Sequence, residues 1–175
     1  MQVTVDASAR FLGAHHDILV ELTRLRLLAD MTSTLPNDQR QRLAGGLRDL
    51  GRRGLIEHHA DEEKVLFTEM LAAAAPGDEA ELVESLTARL SREHRAMEAL
   101  WLQLEPALKL IEKGKPANLP ADLAAQLLER YQAHARFEET VVLPLAERLL
   151  SDNDKRALDL SLRLRHQVDN LVSYI

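Results

Sequence analysis

The sequence predicts an all-α fold: an up-down-up-down four-helix bundle with an additional C-terminal helix. Three observations carry this. Helix formers (Leu, Ala, Glu and Arg) abound, while aromatics make up only 3% of the chain. Punctuation is sparse and falls at four short stretches, "TSTLPND" (32–38), "APGD" (75–78), "KGKPANLP" (113–120) and "SDND" (151–154). Between them, apolar residues recur three and four apart, which lays a stripe along one helix face. Long helices with short connections favour antiparallel neighbours. A chain of 175 residues suits one domain, so 1–175 is read as a single unit.

The first helix is expected over 8–30, with the stripe Phe11, His15, Ile18, Leu22 and Leu25. A histidine fills one core-facing slot. His16 lies about 100° round the helix, on a line that turns polar through Leu12, Leu19, Thr23 and Arg26. The stripe favours His15, and His16 stays open as the alternative. The second helix, over 37–74, contains "IEHHADEEKVLF", in which His58 faces Glu62 and His59 faces Glu63, each one turn on. The third, over 78–113, runs Leu82, Leu86, Leu90, then Met97, Trp101, Leu104, Leu108 and Ile111, and His94 fills the gap. The fourth, over 119–150, runs Leu123, Leu127, Tyr131, His134, Glu138, Val141 and Leu145. Asp, Ser and Asn in the breaks can cap these helices, and Pro can begin one. The fifth helix, over 153–172, packs across the bundle or extends it. Its exposed side, with Leu162, Leu164 and Leu171, either pairs two chains into a homodimer or covers the core.

A single inward histidine is ordinarily satisfied by a hydrogen bond, and an inward carboxylate by a salt bridge. Here they recur as a pattern. Set "HHADEEKVLF" above "HARFEETVVL". His58 then falls on His134, Glu62 on Glu138, Glu63 on Glu139, and the closing apolar residues coincide. The first and third helices align too: Phe11, His15, Ile18, Leu22 and Leu25 on Leu90, His94, Met97, Trp101 and Leu104. The chain reads twice as His, then about 40 residues, then His-x-x-x-Glu. The repeat selects His58 and Glu62 over His59 and Glu63, which are expected off the inward line as neighbours of the site. A bundle brings His15, His58, Glu62, His94, His134 and Glu138 to one level as a metal centre.

Six donors exceed one tetrahedral zinc. Imidazole with carboxylate suits iron, zinc, copper or nickel, and the absence of cysteine removes thiolate sites. Two octahedral metals bridged by both glutamates and an oxo or hydroxo group would keep about two positions open for a small ligand. The net charge of −6, with both signs mixed, makes nucleic acid an unexpected partner. No apolar run reaches the ~18 residues of a membrane span. No signal pattern opens the sequence, so a cytoplasmic location is expected.

The pattern H…HxxxE…H…HxxxE, carried by His15, His58-x-x-x-Glu62, His94 and His134-x-x-x-Glu138, resembles the hemerythrin-like HHE cation-binding domains. "HHADEEKVLF" and "HARFEETVVLP" look like that family's two signature helices. The resemblance spans about 8–150. It implies a four-helix bundle around a non-haem di-iron centre, with two Fe ions as cofactor, an oxo or hydroxo bridge, zinc as a substitute, and the two glutamates bridging. Two features depart from the oxygen carriers. Glu98 stands where they have a second third-helix histidine, and the closing glutamate follows its histidine by four residues, not an aspartate by five. That places the chain nearer the bacterial HHE proteins. Related iron–sulfur repair proteins carry an N-terminal cysteine-containing segment, and this chain has no cysteine. Glu98 is a seventh-ligand candidate or a solvated charge. Glu63 and Glu139 either orient imidazoles or form surface pairs. Tyr131 is a core residue or a donor to a bound ligand, and His166 is read as a non-ligand. The expected partner is a diatomic ligand, oxygen or nitric oxide, or peroxide. The alternatives are turnover of peroxide or nitric oxide, and a storage or structural metal.

Overall fold

The computed structural model describes residues 7–31 and 34–172, with side chains described except at 7, 50 and 166–172. Five helical runs follow in order. These are α1 (Ala7–Met31), α2 (37–73), α3 (Asp78–Glu112), α4 (121–149) and α5 (Asp152–Val172). Gly77 (φ 103°) leads into α3 and Gly114 (φ 68°) follows its end, both in the left-handed region where a side chain is strained. Helices α1–α2, α2–α3, α3–α4 and α4–α1 pack as neighbours. Among the described residues no helix is long and apolar enough to cross a membrane.

The apolar core has two parts. One gathers Ile18, Leu22, Leu55, Met97, Trp101, Leu104, Leu127 and Tyr131. The other gathers Phe11, Val65, Phe67, Met70, Leu90 and Val142. Helix α1 runs from the second part to the first, α2 back, α3 forward and α4 back, which is the up-down-up-down order. On each helix the crossing point is polar: His15 between Phe11 and Ile18, His58 and Glu62 between Leu55 and Val65, His94 between Leu90 and Met97, His134 and Glu138 between Tyr131 and Val142. A buried polar layer thus lies between two apolar ones.

Helices α2 and α4 are not uniformly α-helical. Helix α2 contains π-helical turns at Gly51–Ile56 and Glu62–Leu66, and α4 contains one at Glu138–Val142. The last two begin on the aligned glutamates, so the repeat extends to the backbone. A π turn closes its hydrogen bonds five residues apart and inserts one extra residue. This corrects the α4 stripe: Val141 is 40% exposed and Val142 is buried. Pro144 comes just after this turn, at the start of an α-helical stretch where its missing N–H is least needed. Two further expectations are corrected. Leu82 is 48% exposed, and Val83 is buried in its place. At about 100° per residue, eight residues before Leu90 lies about 80° off the face and seven lies about 20° off. Leu162 is buried and packs with Leu158 onto the second core part, while Leu164 is exposed. Leu171 and His166 fall outside the described side chains.

Candidate metal centre

All six residues chosen from the repeat are buried together: His15, His58, Glu62, His94, His134 and Glu138. His16 is exposed and His15 buried, so of the first pair it is His15 that faces inward. Glu62 Oε1 lies 2.9 Å from His58 Nε2 and 3.6 Å from His15 Nε2, and its Oε2 lies 3.2 Å from His94 Nε2. Glu138 Oε2 lies 3.0 Å from His15 Nε2 and 3.4 Å from His134 Nε2. The glutamates therefore stand between the imidazoles. Donor atoms of His15, His58, Glu62 and Glu138 form one group within 4.8 Å of one another, and those of Glu62, His94, His134 and Glu138 form a second.

These approaches are not a satisfied hydrogen-bond network. His15 Nε2, His58 Nε2, Glu62 Oε2 and both Glu138 oxygens have no partner of hydrogen-bonding geometry. Orphaned buried polar atoms are costly and rare. The outer ring nitrogens explain the inner ones. His94 Nδ1 donates to Glu63 at 2.7 Å, His134 Nδ1 to Glu93 at 3.0 Å, and His15 Nδ1 to Glu139 at 3.1 Å. An ionised carboxylate only accepts, so each proton sits on Nδ1 and each Nε2 lone pair points inward. His94 Nε2 and His134 Nε2 then face each other at 3.2 Å, lone pair to lone pair, unless a proton or cation lies between. Imidazole Nε2 with its Nδ1–H on a carboxylate is the arrangement of metal-ligating histidines. The residues fit a cation.

Without a cation, protons stand in. Burial works against charge on His15, but Glu138 and Glu62 outweigh it and hold its pKa up at about 10. Burial likewise opposes charge on His94, and Glu62 and Glu63 raise it. Burial pushes the Glu62 carboxyl up, yet His58, His15 and His94 hold it well below the usual range. Glu138 is raised, first by burial and then by Glu62. The two carboxylates do not ionise independently without added positive charge.

The sequence places His59 beside the site but off the inward line; the structure keeps it beside the site and turns it inward. His59 is 1% exposed and lies against the centre, its ring 4.0 Å from that of His94 and within 7° of parallel. Its Nδ1 donates to Glu98 at 3.1 Å, and its Nε2 has no partner. Burial, opposed by Glu98, lowers its pKa to about 4, so the ring is neutral at pH 7. His58 and His59 lie about 100° apart in the α-helical stretch 57–61, between π turns at Gly51–Ile56 and Glu62–Leu66, and both are buried. His59, His94 and His134 form a third group of gathered donors. Glu98 is therefore the carboxylate behind His59. Arg95 ties Glu98 (2.7 Å) to Glu63 (2.5 Å). Glu93 was missed; its one signal is its place beside His94. Tyr131 is fully buried, its hydroxyl has no partner, and burial together with Glu62, Glu138 and Glu139 pushes its pKa well up.

A helical bundle with a buried His/Glu layer fitted to cations is the class of protein that fold and site define. A family model described as the hemerythrin HHE cation binding domain matches residues 7–146, and the chain belongs to that family. No match was found among curated proteins or among solved structures.

Proposed function

We propose that the centre holds two iron ions and binds or senses a small ligand: oxygen, nitric oxide or peroxide. The observation that carries this is the two gathered donor groups sharing Glu62 and Glu138. His15 and His58, with Glu62 and Glu138, would hold one ion, and His94 and His134, with the same two glutamates, would hold the other. Bound iron would supply open coordination positions and redox chemistry. Histidine-rich donors make the site less anionic than an all-carboxylate di-iron core, which favours reversible binding over strongly oxidising chemistry.

The chain's own residues set the rest. Glu63, Glu93 and Glu139 fix ring orientation and tautomer. His59 is a further donor on the His94/His134 side. Its ring lies parallel to that of His94, so sharing an ion asks the His59 ring to tilt out of the stack. Tyr131 offers a proton-bearing hydroxyl beside the centre. That hydroxyl favours the second reading, turnover of peroxide or nitric oxide.

The test is spectroscopic. Iron-replete protein is titrated with azide, oxygen, peroxide and nitric oxide. Ligand-dependent charge-transfer bands support binding. Sustained peroxide loss, abolished by His94→Ala, moves the reading to an enzyme. Absence of any band refutes both.

A further inference from the structure

The internal repeat is broken at one place, and a cleft opens there. The offset that places His94 on His15 places Arg89 on Arg10, Glu93 on Ala14 and Met97 on Ile18. The offset that places His134 on His58 places Arg130 on Gly54. Arg89, Glu93, Met97, Arg130 and His134 line a hollow of about 200 Å³. Their counterparts Arg10, Ala14, Ile18, Gly54 and His58 line one of about 460 Å³. The two hollows are the same site in the two halves of the bundle, one narrow and one wide.

Two exchanges and one change of ion-pair partner account for the difference. In the second half, Glu93 caps His134 Nδ1 and is held by Arg89 at 2.8 Å. In the first half, Ala14 has no carboxylate to offer His58. Arg10, left without a partner one turn on, pairs with Asp159 of α5 at 2.9 Å. Gly54 removes the long side chain that Arg130 puts in the other wall. Among the described residues, His58 is the one imidazole of the five at the centre without an outer carboxylate. It is also the most exposed, at 7% against 2% or less for the others.

We propose that the cleft over His58 is the route by which azide-sized anions and diatomic molecules reach the centre, and that Ala14 is the residue that keeps it open. The inference rests on the small-ligand reading above. The cleft wall is apolar near the centre, where Phe11 and Ile18 lie, and carries Arg10, Arg53, Asp17 and Asp49 among its lining. A small uncharged ligand passes such a wall at little desolvation cost; for an anion such as azide, Arg10 and Arg53 in the lining offset the charge, and the lining carboxylate Asp61 is itself paired with Arg165. The matching hollow at His134 is less than half as large, and the Arg89–Glu93 pair stands in it. With His59 gathered on the His94/His134 side, an ion held by His15 and His58 would have fewer protein donors, and His58 lines the cleft.

Two readouts test it. In metal-free protein, diethylpyrocarbonate modifies accessible imidazoles, with His16 on the outer face of α1 as internal reference. His58 is expected to react ahead of His15, His59, His94 and His134. Ala14→Glu, which restores the repeat, and Ala14→Leu, a neutral plug, should each slow it. In iron-loaded protein, stopped-flow azide association should fall about tenfold in both variants, with metal content unchanged. Unchanged His58 reactivity and unchanged azide association in a folded Ala14→Leu variant overturn the proposal. So does faster azide association in Glu93→Ala with no effect at Ala14. If wild-type protein binds no azide, the small-ligand reading fails, and the modification experiment still decides whether His58 is reached through this cleft.

Discussion

Glu63→Gln and Glu93→Gln separate the carboxylates behind the ring nitrogens from the donors in front of them. Glutamine keeps volume and hydrogen-bonding capacity but loses the charge that fixes Nδ1–H and raises Nε2 basicity. Losing such an outer partner typically costs roughly 10–100-fold in metal affinity, or about 1.4–2.7 kcal/mol. The structure ranks the two. Glu63 meets His94 at 2.7 Å, is anchored by Arg95 and is 21% exposed. Glu93 meets His134 at 3.0 Å, is anchored by Arg89 and is 32% exposed. A shorter charged bond in a drier place is worth more. Glu63→Gln should therefore lie near the hundredfold end and Glu93→Gln near tenfold. The assay is competition for zinc against a chromogenic chelator at fixed pH, with helicity as a folding control. Both variants binding as tightly as wild type would refute the reasoning. Equal losses would refute the ranking alone.

Gly51→Ala should lower stability, because an added Cβ would lie 1.8 Å from Cζ2 of the buried Trp101 ring. Overpacking costs about 1–3 kcal/mol, and the upper end applies where the opposing ring is core; at about 2–4 °C per kcal/mol the thermal midpoint should fall by roughly 6–12 °C. In metal-free protein, His15 has a folded pKa of about 10 against its ordinary value of 6.5. Its stabilisation is fully present below pH 6.5 and is lost as pH rises towards 10. The denaturation midpoint should fall over that window, and His15→Gln should flatten the slope, leaving the smaller part due to His94. His59→Ala should weaken one of two metal-binding steps and spare the other in a calorimetric zinc titration. Two unaltered steps would remove His59 from the donors.

The four-helix order and the six central residues were legible because both rest on periodicity. A stripe with polar gaps at matching places in four helices says which faces meet, and the repeat fixes the level. Register within a helix was legible only while the helix stayed α. Val141 was misplaced because it lies in the π turn at Glu138–Val142, which moves residues round the helix, and the sequence carries no separate mark of a π turn; His59 follows a π turn at Gly51–Ile56 that has no counterpart ahead of His134. The paired "EE" of 62–63 and 138–139 divides its work between two places. The first glutamate of each faces the centre, and the second crosses to the next helix to hold an imidazole. Glu93 and Glu98 were illegible because their partners lie on neighbouring helices at separations that no local pattern records. The open cleft at Ala14 becomes visible only when the imperfect half of the repeat is compared with the complete half in space.

The central claim is a two-metal centre shared by two carboxylates. Its most direct test is the number of iron ions per chain in the anaerobically loaded protein, measured for wild type and for His58→Ala, His134→Ala and Glu62→Ala. Two ions per chain in wild type, a loss at one step in each histidine variant, and a loss at both in Glu62→Ala are predicted. One ion per chain in wild type, or full loading of Glu62→Ala, would contradict it.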